Sequence, residues 1–303
     1  MSKTYHNRFF AMGTRFHSVL PKVENEEGDR IHELLKKEVA RIENKLSRFI
    51  PGSELSKVNK LACKKPITID NELFEILNSC KYCWELTDGA FDVSLRPMME
   101  YWKDQKNGSD SREDFSVVKS SLGMQKITLN AENRSVMFDN SMLEIDLGGF
   151  GKGYALEKVK GLLEKSAVND AFISFGESSI LALGEHPAGD SWKIGINDYL
   201  NPGSSIHEFK VKSGSVSTSS NFYVNDQGKL HNHKHVIDPE TGMPFEQFTS
   251  VSVSADSPVL AEVMSTAFLT MSDEKIRHVK NRYDGMEVVR VNYESDEPEI
   301  TQF

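Results

Sequence analysis

The sequence predicts an α+β protein with mixed, largely antiparallel sheets and helices packed on them. Three observations lead there. Apolar residues recur at helical spacing in separate stretches, alternating segments lie between those stretches, and the two kinds follow one another in no regular order. A doubly wound parallel sheet requires a regular strand–helix alternation. With 303 residues the chain can bury a large core, in one domain or in two intimate lobes.

Taken in order, Met12-Gly13-Thr14 follows Phe9-Phe10 and reads as a strand with a glycine break. Ile31, Leu34, Leu35, Val39, Ile42 and Leu46 place an amphipathic helix over 29–48. Leu73, Ile76, Leu77, Cys80 and Trp84 make a second helix, begun by Asp70 and stopped near Asp88-Gly89. The polar stretch 103–114 is predicted as a loop, and 135–147 as a hairpin partner followed by a buried strand. Alternation predicts strands within 170–183, 192–196 and 209–217, with a turn at 203–205. Ser257 before Pro258 opens a helix that runs through VLAEVMSTAFLTM. Asp273 is expected to cap another helix, and 286–293 to form a final strand. Residues 1–7 and 294–303 are expected to be tails around a domain spanning 8–293.

Composition excludes several classes. A net charge of −9 disfavours nonspecific binding to nucleic acid, and no basic stripe is interleaved with aromatics. No apolar run is long enough to span a bilayer as a helix. The N-terminal MSKTYHNRFFAMGT has neither a secretory apolar stretch nor a lipobox cysteine. The expected location is cytoplasmic for a chain that starts here, and periplasmic or membrane-anchored if a leader has been removed. Three cysteines are an odd count, which argues against a disulfide framework. Cys80 and Cys83 form a C-x-x-C inside the second helix, where they read as helix residues one turn apart rather than a redox or zinc pair.

Four segments carry candidate chemistry. Residues 143–158, LEIDLGGFGKGYALEK, read as a strand, a glycine-rich turn and a helix start. Gly148, Gly149, Gly151 and Gly153 let backbone N–H groups approach a phosphate at a helix N-terminus. The spacing matches neither the P-loop nor the dinucleotide fingerprint, so a purely structural turn stays open. Glu262, Ser265 and Thr266 share one helix face and offer oxygen ligands to a hard cation such as Mg²⁺. A solvated polar face is the alternative, but Leu260, Val263, Met264, Ala267 and Phe268 leave such a face little width. His231, His233 and His235 alternate as on a strand face, suiting either zinc or a polar hairpin arm. His235 also stands beside Val236 and the turn Asp238-Pro239-Glu240-Thr241-Gly242, a plausible setting for a general base. Asp88-Gly89-Ala90-Phe91-Asp92 by itself is a helix terminator.

In order along the chain, seven segments resemble the FAD:protein FMN transferases, the ApbE-like family. They are AMGT at 11–14, SRFIPGSELSKVN at 47–59, DGAFD at 88–92, IDLGGFGKGYA at 145–155, VSTSSNF at 216–222, HVIDPETGMP at 235–244 and AEVMSTAF at 261–268. The resemblance implies a T-fold-related α+β unit with a central cleft for FAD. It implies transfer of FMN from FAD to a Ser or Thr hydroxyl of an acceptor flavoprotein, with release of AMP. Met12, Phe49, Ala90, Phe91, Asp92, Gly148, Tyr154 and Val236 would contact the dinucleotide. Mg²⁺ would be held by the backbone oxygen of Gly151 and by Glu262, Ser265 and Thr266. His235 or Asp238 would take the acceptor's proton, with His235 preferred because its pKa lies nearer the working pH. The chain departs from the family pattern at several places, among them Val93-Ser94 after DGAFD where Thr is common and the absent lipobox. Glu262 stands where Asp is usual, Gly176-Glu177-Ser178-Ser179 where Gly-Gly-Asp is common, and Phe49 where Tyr is usual. FAD hydrolysis to FMN and AMP, or FAD binding without catalysis, are the competing readings.

Overall fold

The computed structural model describes residues 3–106, 114–225, 227–232, 236–295 and 297–303. In chain order the strands and helices begin with β1 (Thr4–Ala11), β2 (Thr14–Pro21), α1 (Asn25–Leu46), α2 (Glu54–Leu61), β3 (Ile67–Thr68) and α3 (Asn71–Leu86). Next come α4 (Arg96–Lys106), α5 (Phe115–Ser121), β4 (Ile127–Asn130), β5 (Ser135–Phe138), α6 (Gly151–Lys165), β6 (Ala171–Phe175) and β7 (Ser179–Leu183). Then follow β8 (Trp192–Asn197), β9 (Ser205–Val211), β10 (Ser213–Ser220), β11 (Phe222–Val224), β12 (Leu230–Asn232) and β13 (Thr249–Ala255). The chain closes with α7 (Pro258–Ala267), α8 (Asp273–Lys280), β14 (Glu287–Asn292) and β15 (Glu299–Gln302). These elements gather into two compact units, one of Met1–Glu43, Phe150–Asn232 and Gln247–Phe303, the other of Asn44–Gly149 and His233–Glu246. The α+β expectation holds, with every strand pairing antiparallel.

The first unit is built on an eight-stranded sheet in the order β1-β2-β6-β7-β10-β13-β14-β15. Alternation along β10 sends Ser215, Ser217 and Ser219 to one face and Val216 to the other. The Val216 face packs against the β8–β9 ribbon through Trp192, Ile194, Phe209, Val289 and Val291. The opposite face carries α7, which lies on β7, β10 and β13 and is crossed by α6. Ser257 caps α7, its Oγ accepting from the Leu260 N–H, with Pro258 in the first turn as the sequence predicts. Gly153 is where the two helices touch: a Cβ there would lie 2.7 Å from Pro258 O and 2.8 Å from Glu262 Cβ.

The second unit contains the small sheet β3-β5-β4 and helices α2 to α5. Asp70 caps α3 as expected, its Oδ1 accepting from the Leu73 N–H at 2.8 Å. Asp88 and Gly89, both at positive φ, follow the end of that helix.

Several expectations change. Met12-Gly13 is not a break within a strand but the two-residue turn of the β1–β2 hairpin, with φ 49° and 75° and Ala11 paired to Thr14. The strand predicted within 209–217 is two strands, β9 and β10, parted at Lys212. The buried strand expected before the glycine turn is absent, since β5 stops at Phe138. Residues 143–147 form no strand; the Asn59 side chain bonds both polar groups of Ile145, each at 2.9 Å, and the Asp146 N–H donates to Val93 O at 2.8 Å. Ser272, not Asp273, caps α8; Asp273 is its first residue and accepts from Arg290 Nη1 at 2.7 Å. The predicted loop at 103–114 loses its start to α4, which runs to Lys106. Neither terminal segment is wholly a tail. Tyr5 in β1 is buried against α1, and β15 pairs with β14, which is therefore not the last strand. The charged ESDEPE run hid that short edge strand from the sequence reading.

Because the atoms around Gly153 are backbone and a buried Cβ, they have little room to yield. Gly153→Ala is expected to cost about 1–3 kcal/mol of unfolding free energy, measured by urea denaturation.

Candidate active site in the first unit

The α7 helix brings a carboxylate onto the serine face of β10. Glu262 is 4% exposed, and a buried carboxylate is costly unless it is paired and hydrogen-bonded. Its Oε2 accepts from Ser179 Oγ at 2.5 Å and Ser217 Oγ at 2.9 Å. Its Oε1 accepts from Lys152 Nζ at 2.5 Å. Lys152 also donates to Ser179 Oγ at 2.6 Å and Ser178 Oγ at 3.3 Å. One turn further along α7, Ser265 and Thr266 donate to the Glu262 carbonyl at 3.0 and 3.1 Å. Ser219 Oγ lies 2.9 Å from Ser265 Oγ and 3.2 Å from Thr266 Oγ1.

Two backbone features set this cluster. The β6–β7 connection supplies Ser178 and turns through Gly176 and Glu177, both left-handed at φ 69° and 63°. A Cβ on Gly176 would stand 2.7 Å from Thr14 Oγ1, so glycine is required there. At Glu177 the departure from the family pattern places a side chain in a backbone region that favours glycine. The other feature is the start of α6. Phe150 occupies its N-cap position without a side-chain cap, so the first N–H groups of α6 have no hydroxyl or carboxylate cap from that residue. Met12 packs there, its Cε 3.0 Å from where a Cβ of Gly151 would be, and its N–H donates to Glu43 Oε1 at 2.8 Å. Tyr154 stacks on Phe150 with ring centroids 6.0 Å apart, and Lys158 lies over its face. The glycine bend and the late helix predicted from sequence thus meet, and Met12 and Tyr154 flank the same helix start.

Phe49, Ala90, Phe91, Asp92, Gly148, Val236 and Asp238 lie in the second unit. Phe49 is 76% exposed, with the Arg48 guanidinium 3.9 Å over its ring. Arg48 also pairs with Asp146, whose other oxygen accepts from the Gly148 N–H at 2.8 Å. Ala90 is half-buried, while Phe91 is buried. Burial pushes the Asp92 carboxyl above its usual range, and hydrogen bonds from Ser94, Met124 and Trp84 draw it part of the way back. The Phe91 ring packs in the interior, while Asp92 is half-buried. Val236 accepts from the Phe245 N–H, and Ile237 bridges to Pro244. Both carboxylate oxygens of Asp238 are taken within its own turn, by Glu240 N–H and Thr241 Oγ1, each at 2.9 Å. Asp238 thus shapes its own turn. His235 and His233 lie outside the described residues.

His231 stacks on Tyr223 and stands 2.9 Å from Asn225 Nδ2. Among the described residues no three His, Cys, Asp or Glu side chains assemble as metal ligands. Cys80 and Cys83 are buried in α3, and burial raises both thiols, Cys83 to about 11. Sequence reasoning missed Lys152, Ser179, Ser217 and Ser219 as site residues. The signal for the last two was present: serines at alternate positions of an otherwise buried strand share one face.

The ApbE family model matches residues 12–290. The chain belongs to the ApbE family. Among relatives of ApbE type, FAD:protein FMN transferase of Escherichia coli K12 is 24% identical over 296 residues, covering 94% of this chain and 83% of that protein. The protein of the same name from Klebsiella pneumoniae is 25% identical over 253 residues, covering 81% and 76%. The crystal structure of the ApbE protein from Thermotoga maritima superposes with a TM-score of 0.83 at 27% identity, covering 99% of this chain and 97% of that one. Flavin transferase ApbE from Vibrio cholerae shares the fold, with a TM-score of 0.83 at 19% identity over 100% and 97% of the two chains.

The Mg²⁺ implied by the family resemblance can be tested against these donors. Every candidate ligand is oxygen, and hard oxygen donors suit Mg²⁺. The set holds one buried carboxylate, and Lys152 balances its charge, so the chemistry fits a hard cation while the carboxylate already has a partner.

Two outcomes follow from this geometry. Ser217→Ala removes a bond to a buried charge and is expected to cost about 1.5–3 kcal/mol in chemical denaturation. In the native protein a disulfide reagent is expected to titrate the half-exposed Cys63 quickly, with Cys80 and Cys83 reacting only on unfolding.

Proposed function

We propose that this protein transfers FMN from FAD to a Ser or Thr hydroxyl of an acceptor protein, releasing AMP, with Mg²⁺ as cofactor. The observation that carries the reading is the meeting of the α6 start with α7, where Lys152 Nζ lies 2.5 Å from Glu262 Oε1. An anion-attracting helix start and a hard-cation donor set side by side are what a pyrophosphate and its counter-ion need. The curated relatives are named for this reaction.

The N–H groups opening α6 and the Lys152 ammonium would face the pyrophosphate, with Met12 and Tyr154 beside it. Glu262, Ser265, Thr266 and the backbone oxygen of Gly151 would hold the cation. When bound, Mg²⁺ neutralises charge on the pyrophosphate and on the departing AMP. The acceptor hydroxyl oxygen forms a bond to the FMN phosphorus as the bond to the AMP oxygen breaks. AMP leaves with that electron pair, and the hydroxyl proton passes to a base. We assign the base to His235, because an imidazole titrates near neutral pH and the Asp238 carboxylate is committed to its turn.

Incubation with FAD, Mg²⁺ and an acceptor peptide is expected to give in-gel flavin fluorescence on the peptide and one AMP per label. AMP and free FMN without labelled peptide would replace transfer by hydrolysis, and bound FAD with neither product would leave a binding protein. His235→Ala is expected to slow transfer by about 10²–10⁴-fold. The wild-type rate should fall as pH drops through the range in which an imidazole base becomes protonated.

A further inference from the structure

Lys152 is in an awkward place for a lysine. It sits in the first turn of α6, where the helix already carries partial positive charge and an ammonium is disfavoured. Glu262 holds it there. The two partners differ in freedom: the Lys152 side chain is 23% exposed and the Glu262 side chain 5%. Glu262 is anchored by Ser179 on β7 and Ser217 on β10, both rigid strand positions. The lysine stem can swing outward while the carboxylate stays.

The carboxylate has no spare oxygen. Oε2 receives two hydroxyls, and Oε1 receives the ammonium. A divalent cation binding this carboxylate would sit about 2.1 Å from an oxygen, within repulsive reach of the ammonium. The cation and Lys152 therefore repel one another at Oε1 and compete for the charge of the carboxylate.

We propose that Lys152 is a displaceable counter-ion: it neutralises Glu262 in the dinucleotide-free protein and turns to the pyrophosphate when the dinucleotide binds, releasing the carboxylate to a divalent cation. The inference rests on the flavin-transfer reading and adds an order to it. Glu262 and Lys152 alone sum to zero. Adding only the doubly charged pyrophosphate, or only a divalent cation, leaves two uncompensated charges in a largely buried cluster. Adding both restores neutrality. Each ligand thus prepares the site for the other, so their affinities are coupled.

Mn²⁺ serves as the probe, with free Mn²⁺ read by electron paramagnetic resonance at low ionic strength. In wild type without FAD, Mn²⁺ should bind weakly, and FAD should tighten it at least about tenfold. A cation touching both protein and phosphate would also give that coupling, so the deciding arm omits FAD. There, Lys152→Met is expected to bind Mn²⁺ at least about tenfold tighter than wild type, because Glu262 has lost its rival partner. Lys152→Gln should tighten binding likewise, keeping a hydrogen-bond donor to support folding. Lys152→Arg, which keeps the charge, should remain weak. Thermal melting of each variant checks the fold, and Mn²⁺ should raise the melting temperature of Lys152→Gln more than that of wild type. Equal Mn²⁺ affinity in wild type, Lys152→Gln and Lys152→Met without FAD would overturn the proposal. FAD binding followed by flavin fluorescence separates the two readings. A wild-type protein that takes up no FAD defeats the functional reading, whereas FAD uptake with unchanged Mn²⁺ affinity in the neutral variants defeats this inference alone.

Discussion

Everything in the first unit's polar centre depends on keeping one carboxylate charged inside a hydrophobic layer. Glu262 sits on a helix whose neighbours Val263, Met264 and Ala267 are buried, over a strand rich in valine and serine. Isolating that charge would cost several kcal/mol. Three donors from three elements offset the cost: α6 gives Lys152, β7 gives Ser179 and β10 gives Ser217. The need to satisfy Glu262 thus ties together the helix start, the sheet and the late helix. It also explains why serines line one face of a buried strand, where apolar residues would ordinarily pack.

The close approach of α6 to α7 serves the same end. Gly153 allows the α6 backbone to reach the Glu262 Cβ, and only then does the Lys152 stem span the remaining gap. In the second unit, Asp146 joins the Arg48 guanidinium to the Gly148 N–H and so fixes the approach to the glycine bend. Rigidity comes from side chains with two partners each, not from a continuous ladder. Asn59 acts in the same way, standing in for a neighbouring strand at Ile145.

The proposed release of Glu262 by Lys152 requires that the two charges can part. The exposure difference between Lys152 and Glu262 meets that requirement physically. Asp238 shows the contrast. Each of its carboxylate oxygens accepts a bond from within its own turn.

The sequence by itself determined the α+β class, the α3 and α7 helices with their Asp70 and Ser257 caps, the glycine-rich start of α6, and Glu262, Ser265 and Thr266 on one face of α7; that the two belong to one site came only from the family resemblance. These are local signals: apolar period, capping residues and glycine spacing all act within a few residues. Tertiary structure alone decided that Met12-Gly13 closes a hairpin, that 143–147 forms no strand, that β15 extends the sheet, and that Lys152 rather than solvent faces Glu262. Two of these depend on partners far away in sequence, Asn59 lying 86 residues from Ile145 and Lys152 lying 110 from Glu262. A charge on a helix face looks the same in sequence whether water or a buried ammonium answers it, and only packing chooses between them.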